Sequence, residues 1–235
     1  MIIKLLKTAL VAGLVAGVFG WTLQMALTTP IIIAAEAYED APADGAAGGE
    51  THTHEDGSEH VHDAEAWAPE DGIERHAFTL LTSVLFGVGF AAILAACYLM
   101  NGSANVGWRR GLVWGLLGYA AVFLAPALGL PPELPGMAAA DLMARQGWWL
   151  AAVVLTAGGL IALIKGQSMA LRLLGLVLIV APHAWGAPHA GYYSDGPPAE
   201  LAAHFAVASL VSVALFWMML GAASGWAWDR FNRAA

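Results

Sequence analysis

Ala77 to Met100 reads AFTLLTSVLFGVGFAAILAACYLM, an apolar run without a charged residue. A helix of about 20 apolar residues crosses the hydrocarbon core of a bilayer, which is about 30 Å thick. Five further runs approach that length, at 5–27, 111–130, 147–164, 171–187 and 201–226. With 59% hydrophobic and 12% charged residues, the composition excludes an ordinary soluble domain. The sequence therefore predicts an all-α integral membrane protein with about six transmembrane helices.

Basic residues predict the orientation of these helices, because cytoplasmic connections carry an excess of Lys and Arg. All but two of them flank the chain termini or the second and fourth connections: Lys4, Lys7, Arg109, Arg110, Lys165, Arg172, Arg230 and Arg233. Both termini are thus predicted to be inside. The acidic residues except Asp229, and all eight histidines, lie on the opposite side. That outer face is expected to attract cations.

The chain divides into three predicted parts. Residues 1–35 form a first transmembrane helix, 36–76 an extracytoplasmic acidic His-rich loop, and 77–235 a five-helix transmembrane bundle. The first span also resembles a secretory signal, since Lys4 and Lys7 precede it and Ala35-Glu36-Ala37 has the small-residue pattern of a cleavage site. Cleavage there would leave five spans. Pro30 is predicted to kink this helix.

The loop contains THTHEDGSEHVHD, in which two H-x-H pairs are interleaved with carboxylates. Such His-rich tracts are typical of metal binding, although a merely solvated loop is the alternative. The four histidines are expected to collect ions without selecting among them: His52, His54, His60 and His62.

The loop ends in WAPEDGIERH, where Pro69 suits the first turn of a helix. Glu70 and Glu74 would then share one helical face. They are candidates for a carboxylate pair at the mouth of a pathway. The alternative is that they complement the positive end of the helix dipole.

The last connection contains APHAWGAPH and PPAELAAH. Glu200 and His204 are four apart, so a helix presents both side chains to one ion. His183 and His189 do not share a face of a straight helix, but breaks at neighbouring prolines would allow all four to converge. Imidazole and carboxylate suit borderline divalent metals. Histidines that cap helix-end carbonyls are the alternative reading.

Two patterns concern packing. Spans directed outward end near Pro30, Pro126 or Pro182, and the spans that return are preceded by Pro and Glu, which suggests three related helical hairpins. Gly pairs in G-x-x-x-G spacing predict close helix contacts, at Gly13/Gly17, Gly111/Gly115 and Gly221/Gly225. Trp148 and Trp149 are expected to lie in the interfacial aromatic belt.

Several functional classes lack their motifs. The spans carry no Asp, Glu, Lys or Arg between their ends, which argues against a buried carboxylate proton relay. There is no phosphate loop for ATP, and no H-E-x-x-H motif that would make a catalytic metal site of the histidines. We therefore predict that the chain is not an enzyme, has no catalytic residues and binds no nucleic acid.

Six segments together resemble the CbtA family: KLLKTALVAGLVAG, WAPEDGIER, APALGLPPELPG, RQGWW, APHAWGAPH and PAELAAHFAVASL. The resemblance covers nearly the whole chain. It implies a cobalt transporter subunit of the bacterial inner membrane, linked to cobalamin supply and to a small single-span His-containing partner, CbtB. It brings no ligand set, so the ligands named above rest on the residues alone.

The expected function is uptake of a divalent metal, which we expect to be cobalt, with the lipid bilayer and the metal ion as partners. The alternative is a membrane metal-binding or accessory subunit for Ni, Zn or Cu that does not itself transport. Assembly with further copies of the chain stays open, as do the energy source and the choice of metal.

Overall fold

A computed structural model describes residues 1–38, 69, 72–102, 105–191 and 196–233. Within these residues the chain forms six helices and no strand. Their bounds are α1 Ile2–Glu36, α2 Ile73–Met100, α3 Gly107–Ala127, α4 Leu142–Lys165, α5 Met169–Trp185 and α6 Ala199–Arg233. The all-helical prediction is confirmed.

Five of these helices are long and apolar enough to cross a membrane, and α5 is the exception. Its 17 residues extend about 25 Å, at the lower limit for a spanning helix. Pro182 lies inside α5, and the helix ends at Gly186. The φ of Gly186 is 94°, a value that residues with a side chain rarely adopt.

Two helices contain a wider π-helical turn shortly before a proline. In α1 the turn is Gln24–Thr28 and precedes Pro30; in α3 it is Ala120–Leu124 and precedes Pro126. Proline lacks an N–H and its ring clashes with the carbonyl four residues earlier, so a wider turn relieves the mismatch. The position of the predicted kink in α1 therefore carries a π turn.

The four most extensive contacts between helices define the bundle. α1 packs on α2 and on α6, α6 packs on α3, and α5 packs on α4. Of the three predicted hairpins, the first is packed as such. The second pair also packs, through the last turns of α3 against α4, although the main partner of α3 is α6; α5 packs on α4, so the third pair is not packed as a hairpin.

Glycine explains these partnerships. A Cβ atom at Gly221 would lie only 2.8 Å from the Cα of Gly115, and Gly111 and Gly225 leave equally little room. In the same way Gly13 and Gly17 lie directly against the backbone of α2. The predicted G-x-x-x-G contacts are confirmed, because only residues without a side chain allow backbones to approach this closely.

Polar contacts join the helix ends at two opposite ends of the bundle. At the basic end, Lys4 donates to the side chain of Asn232 at 2.8 Å, and the amide of Val106 donates to Asp229 at 2.7 Å. At the other end, which we call the acidic end, Glu36, Glu133 and Glu200 lie at or near helix termini. A small apolar cluster of Ile31, Ala35 and Leu134 also packs there against Phe205 and its neighbours.

Candidate functional site

Glu200 and His204 lie one turn apart at the start of α6, as predicted. Both side chains are exposed. Val207 and Val211, the next residues along this face, are 59% and 47% exposed. This face of α6 therefore points away from the other helices.

His183 packs against Trp148 of α4. Its ring lies edge-on to that of Trp148, with 5.8 Å between centroids, and the Trp148 indole N–H donates to the carbonyl of Pro182 at 3.2 Å. Trp148 is 4% exposed, so its prediction as a belt residue was wrong. The indole is buried because it satisfies a carbonyl in the α4–α5 contact.

His189 lies past the end of α5 and is exposed. Over the described ranges, no group of three or more His, Cys, Asp or Glu side chains is placed to hold a metal ion. The structure thus does not bring His183 and His189 together with Glu200 and His204, because α5 packs on α4 instead of α6. A shared role of these four residues stays a prediction.

The remaining predicted ligands are distributed between described and undescribed parts of the chain. Glu74 is half-buried in the first turn of α2. Outside the described residues lie Glu70, His52, His54, His60 and His62.

A cavity of about 680 Å³, which we call the deep cavity, lies between α1, α2 and α6. It extends from Pro69 and Arg75 at the acidic end to Gly20 and Phe216 inside the bundle. Most of its lining is apolar, and its polar side chains are one guanidinium, one amide and four hydroxyls: Arg75, Gln24, Thr79, Thr82, Ser83 and Ser212. At 1.5 Å per residue, Ser212 lies about 27 Å along α6 from Arg230, so the polar lining belongs to the half of the bundle toward the acidic end.

The hydrogen bonds of this lining leave oxygen atoms available to a cation. Thr79 and Ser212 donate to carbonyls of their own helices, at 2.7 and 2.6 Å. The Gln24 amide nitrogen donates to the hydroxyl of Ser83 at 3.3 Å. A hydroxyl that donates its proton keeps its lone pairs, and an amide that donates through nitrogen keeps its carbonyl oxygen.

A second cavity of about 360 Å³, which we call the rim cavity, lies between the last turns of α1 and the first turns of α2. Glu36, Arg75 and His76 line it. Arg75 forms an ion pair with Glu36, with 3.2 Å between one guanidinium nitrogen and a carboxylate oxygen. Gln24, Arg75 and Thr79 line both cavities, so these residues separate the two spaces.

Aromatic packing closes the bundle between the deep cavity and the basic end. Phe90 and Trp217 lie 4.9 Å apart between ring centroids. Further toward the basic end, the buried Tyr98 contacts Trp114 and Trp228, and its hydroxyl is 2.8 Å from that of Ser224. Among the described residues, the lining of the deep cavity therefore ends near Gly20 and Phe216.

Four of the cavity residues stand out in the sequence as polar groups inside apolar spans, namely Gln24, Thr82, Ser83 and Ser212, but the sequence favours bonds to their own helices and does not indicate that they line one cavity. Glu36 drew notice only within a cleavage-like motif, and His76 only as the end of the loop. A usable signal was present in α2: Arg75, Thr79, Thr82 and Ser83 recur at helical spacing and form a polar stripe on an apolar span.

The long apolar helices define a multi-pass α-helical membrane protein, with a cavity that contains several polar side chains and enters from one end. Residues 2–229 match the CbtA family, described as "Probable cobalt transporter subunit (CbtA)". This chain belongs to that family, as the resemblance predicted. No curated protein and no solved structure matches it.

Proposed function

We propose that this chain is a permease that admits divalent cobalt through the bacterial inner membrane, with the acidic end outside. The observation that carries the proposal is the deep cavity, which reaches into the bundle from the acidic end and offers the side-chain oxygen atoms of Gln24 and four hydroxyl residues within a mainly apolar lining. Cobalt is the substrate and no catalytic step is involved.

The lining suits a partly hydrated ion. Neutral oxygen atoms replace some of the water around a divalent cation, yet hold it less tightly than carboxylates would. An ion bound by Gln24 and the neighbouring hydroxyls would thus be able to leave again, which transport requires. The helices between their ends offer no carboxylate that would trap it.

The membrane potential supplies enough energy for uptake. A divalent cation that moves inward across about 100 mV gains about 4.6 kcal/mol, twice the value for one charge. This corresponds to accumulation of about a thousandfold. For net passage the aromatic closure near Trp217 has to open; with the acidic end outside, as proposed, a cation would enter the deep cavity before this opening.

In this proposal the acidic, His-rich residues 36–76 gather cations, and Glu200 with His204 adds a binding position outside the cavity. His183 and His189 remain candidate ligands in this proposal only because they lie at the same connection of the sequence as Glu200 and His204. The proposal also includes delivery of the imported cobalt to cobalamin synthesis. It further includes a small single-span His-containing partner and assembly with further copies of this chain.

The test is uptake of radioactive Co²⁺ into proteoliposomes that contain this chain alone, under an inside-negative potential. We expect uptake by the wild type and its loss in Gln24→Leu, which removes an oxygen ligand from the deep cavity. Thr22→Val is the matched control, because Thr22 lies on the same helix, is exposed and bonds to the carbonyl of Val18. His204→Ala tests the second position in the same assay. Equal uptake by Gln24→Leu and wild type would contradict a path through the cavity.

The second candidate is an accessory subunit for Ni, Zn or Cu that binds metal without moving it. The exposed position of Glu200 and His204 favours it, since a partner could approach them directly. Folded wild-type protein that binds metal but shows no potential-driven uptake would support this function and exclude a self-sufficient permease.

A further inference from the structure

The rim cavity combines two kinds of metal ligand that the sequence analysis did not pair. Glu36 is the last residue of α1, and His76 lies in the first turn of α2. Both line the same space, and the lining also includes Gln24 and Thr28, whose side chains carry oxygen atoms. A carboxylate and an imidazole, completed by amide and hydroxyl oxygens and by water, form a ligand set suited to a borderline divalent metal.

Arg75 occupies the position where a cation would meet Glu36. Its guanidinium pairs with the Glu36 carboxylate, and the two side chains are 29% and 34% exposed. An ion pair this exposed is weak, because water and salt screen it. A divalent cation carries twice the charge of the guanidinium and is thus able to displace it from the carboxylate.

Displacement of Arg75 would have a second effect. Arg75 lines both the rim cavity and the deep cavity. When its side chain turns away from Glu36, the barrier of positive charge between the two spaces moves. The same event would therefore bind the ion and give it access to the hydroxyls of α2.

We propose that the rim cavity is a binding site for a divalent transition-metal ion, with Glu36 and His76 as its ligands and Arg75 as a tethered cation that competes for Glu36. The role of this site as the first station of an uptake path depends on the proposed function. The binding itself does not.

The test measures equilibrium binding of Co²⁺ to the full-length chain in detergent, without a gradient. His52, His54, His60 and His62 are replaced by Ala in every sample, so that the loop histidines do not contribute. In this background we expect Arg75→Gln to bind Co²⁺ about threefold to fivefold more tightly, because a weak competitor is gone. His76→Ala should bind at least about tenfold more weakly, a loss that even an outer-shell partner can cause.

The chain provides a matched control for the charge change. Arg145 forms an ion pair of 3.1 Å with Glu133 at the same end of the bundle, with side chains 31% and 30% exposed, but neither residue lines the rim cavity. Arg145→Gln removes the same charge and should leave Co²⁺ affinity unchanged. An equal rise in Co²⁺ affinity in both Arg variants would mean that the effect comes from net charge alone, and this would overturn the proposal.

Two other outcomes would also overturn it: unchanged affinity in Arg75→Gln, or unchanged affinity in His76→Ala. His76 is exposed, so its replacement should preserve the fold, and thermal unfolding of each variant verifies this. Because binding is measured without transport, a chain that binds at the rim but takes up no Co²⁺ would reject the permease and retain this site.

Discussion

The two ends of the α1–α2–α6 core are built from different residues. Toward the basic end, the contacts are made by small residues and by aromatic rings: Ala12, Ala16, Ala95 and Tyr98 are fully buried there. Toward the acidic end, the deep cavity lies between the same three helices and the rim cavity lies between α1 and α2, and polar side chains contribute to both linings. One set of helices thus provides both a closed half and an open half.

The difference follows from side-chain size and hydrogen bonding. Glycine and alanine allow helix backbones to approach, and the approach excludes any space for an ion. Gln24, Thr79 and Ser83 instead keep polar atoms between helices, where they require partners or water. The π turn at Gln24–Thr28 falls within this open half, so the change in helix geometry coincides with the change in packing.

Replacement of Trp217 should have the largest effect. Trp217 is 3% exposed and closes the bundle against Phe90. We expect Trp217→Ala to cost about 3–5 kcal/mol of stability, as for other large buried aromatic residues. It should also make proteoliposomes leak monovalent cations, measured by the decay of an imposed potential.

Trp217→Phe serves as the control because it keeps an aromatic ring in the closure. If proteoliposomes that contain folded Trp217→Ala retain the imposed potential as long as the wild type does, this ring does not close the path.

Gly221→Ala should have the next largest effect, on stability alone. The added methyl group would meet the backbone of Gly115 at 2.8 Å, and we expect a loss of about 1–3 kcal/mol, typical of overpacking. Thermal unfolding followed by size-exclusion chromatography measures it. Gly158→Ala is the matched change, since a Cβ there meets nothing within 4 Å. Similar unfolding temperatures for the two variants would mean that the closed half is not limited by backbone contact.

The helices were predictable from the sequence, whereas their neighbours were not. Apolar length is a local property, so the run at Ala77 to Met100 predicted α2 to within a few residues. Partner choice depends on surfaces distant in the chain: Gly111 and Gly221 each predicted a close contact, but not that they contact each other. The ligands of α5 and α6 failed to converge for the same reason, because the connection that joins two helices does not decide which helices pack. The ion pair between Glu36 and Arg75 was equally unpredictable, since the longest connection separates the two residues in the sequence.

The pH on the two sides of the membrane should affect uptake differently. In the sequence, all eight histidines fall in or beside the connections that are predicted to face outward, and imidazole binds metal only when neutral. We expect Co²⁺ uptake to fall several-fold as the external pH drops through about 6, and to respond little to the same change inside. Proteoliposomes with separately buffered inner and outer solutions measure both. A rate independent of external pH between about 5 and 8 would argue against imidazole ligands.

The smallest effect on stability is expected at the acidic end of α6. Glu200 and His204 are exposed, so Glu200→Gln and His204→Ala should each change the free energy of unfolding by less than about 0.5 kcal/mol. Gly221, on the same helix, is the internal standard, because its replacement acts on a packed face. A loss above about 1 kcal/mol in His204→Ala would mean that this exposed face is covered in the assembled protein. The contrast between a packed basic end and an open acidic end would then hold for the single chain and not for its assembly.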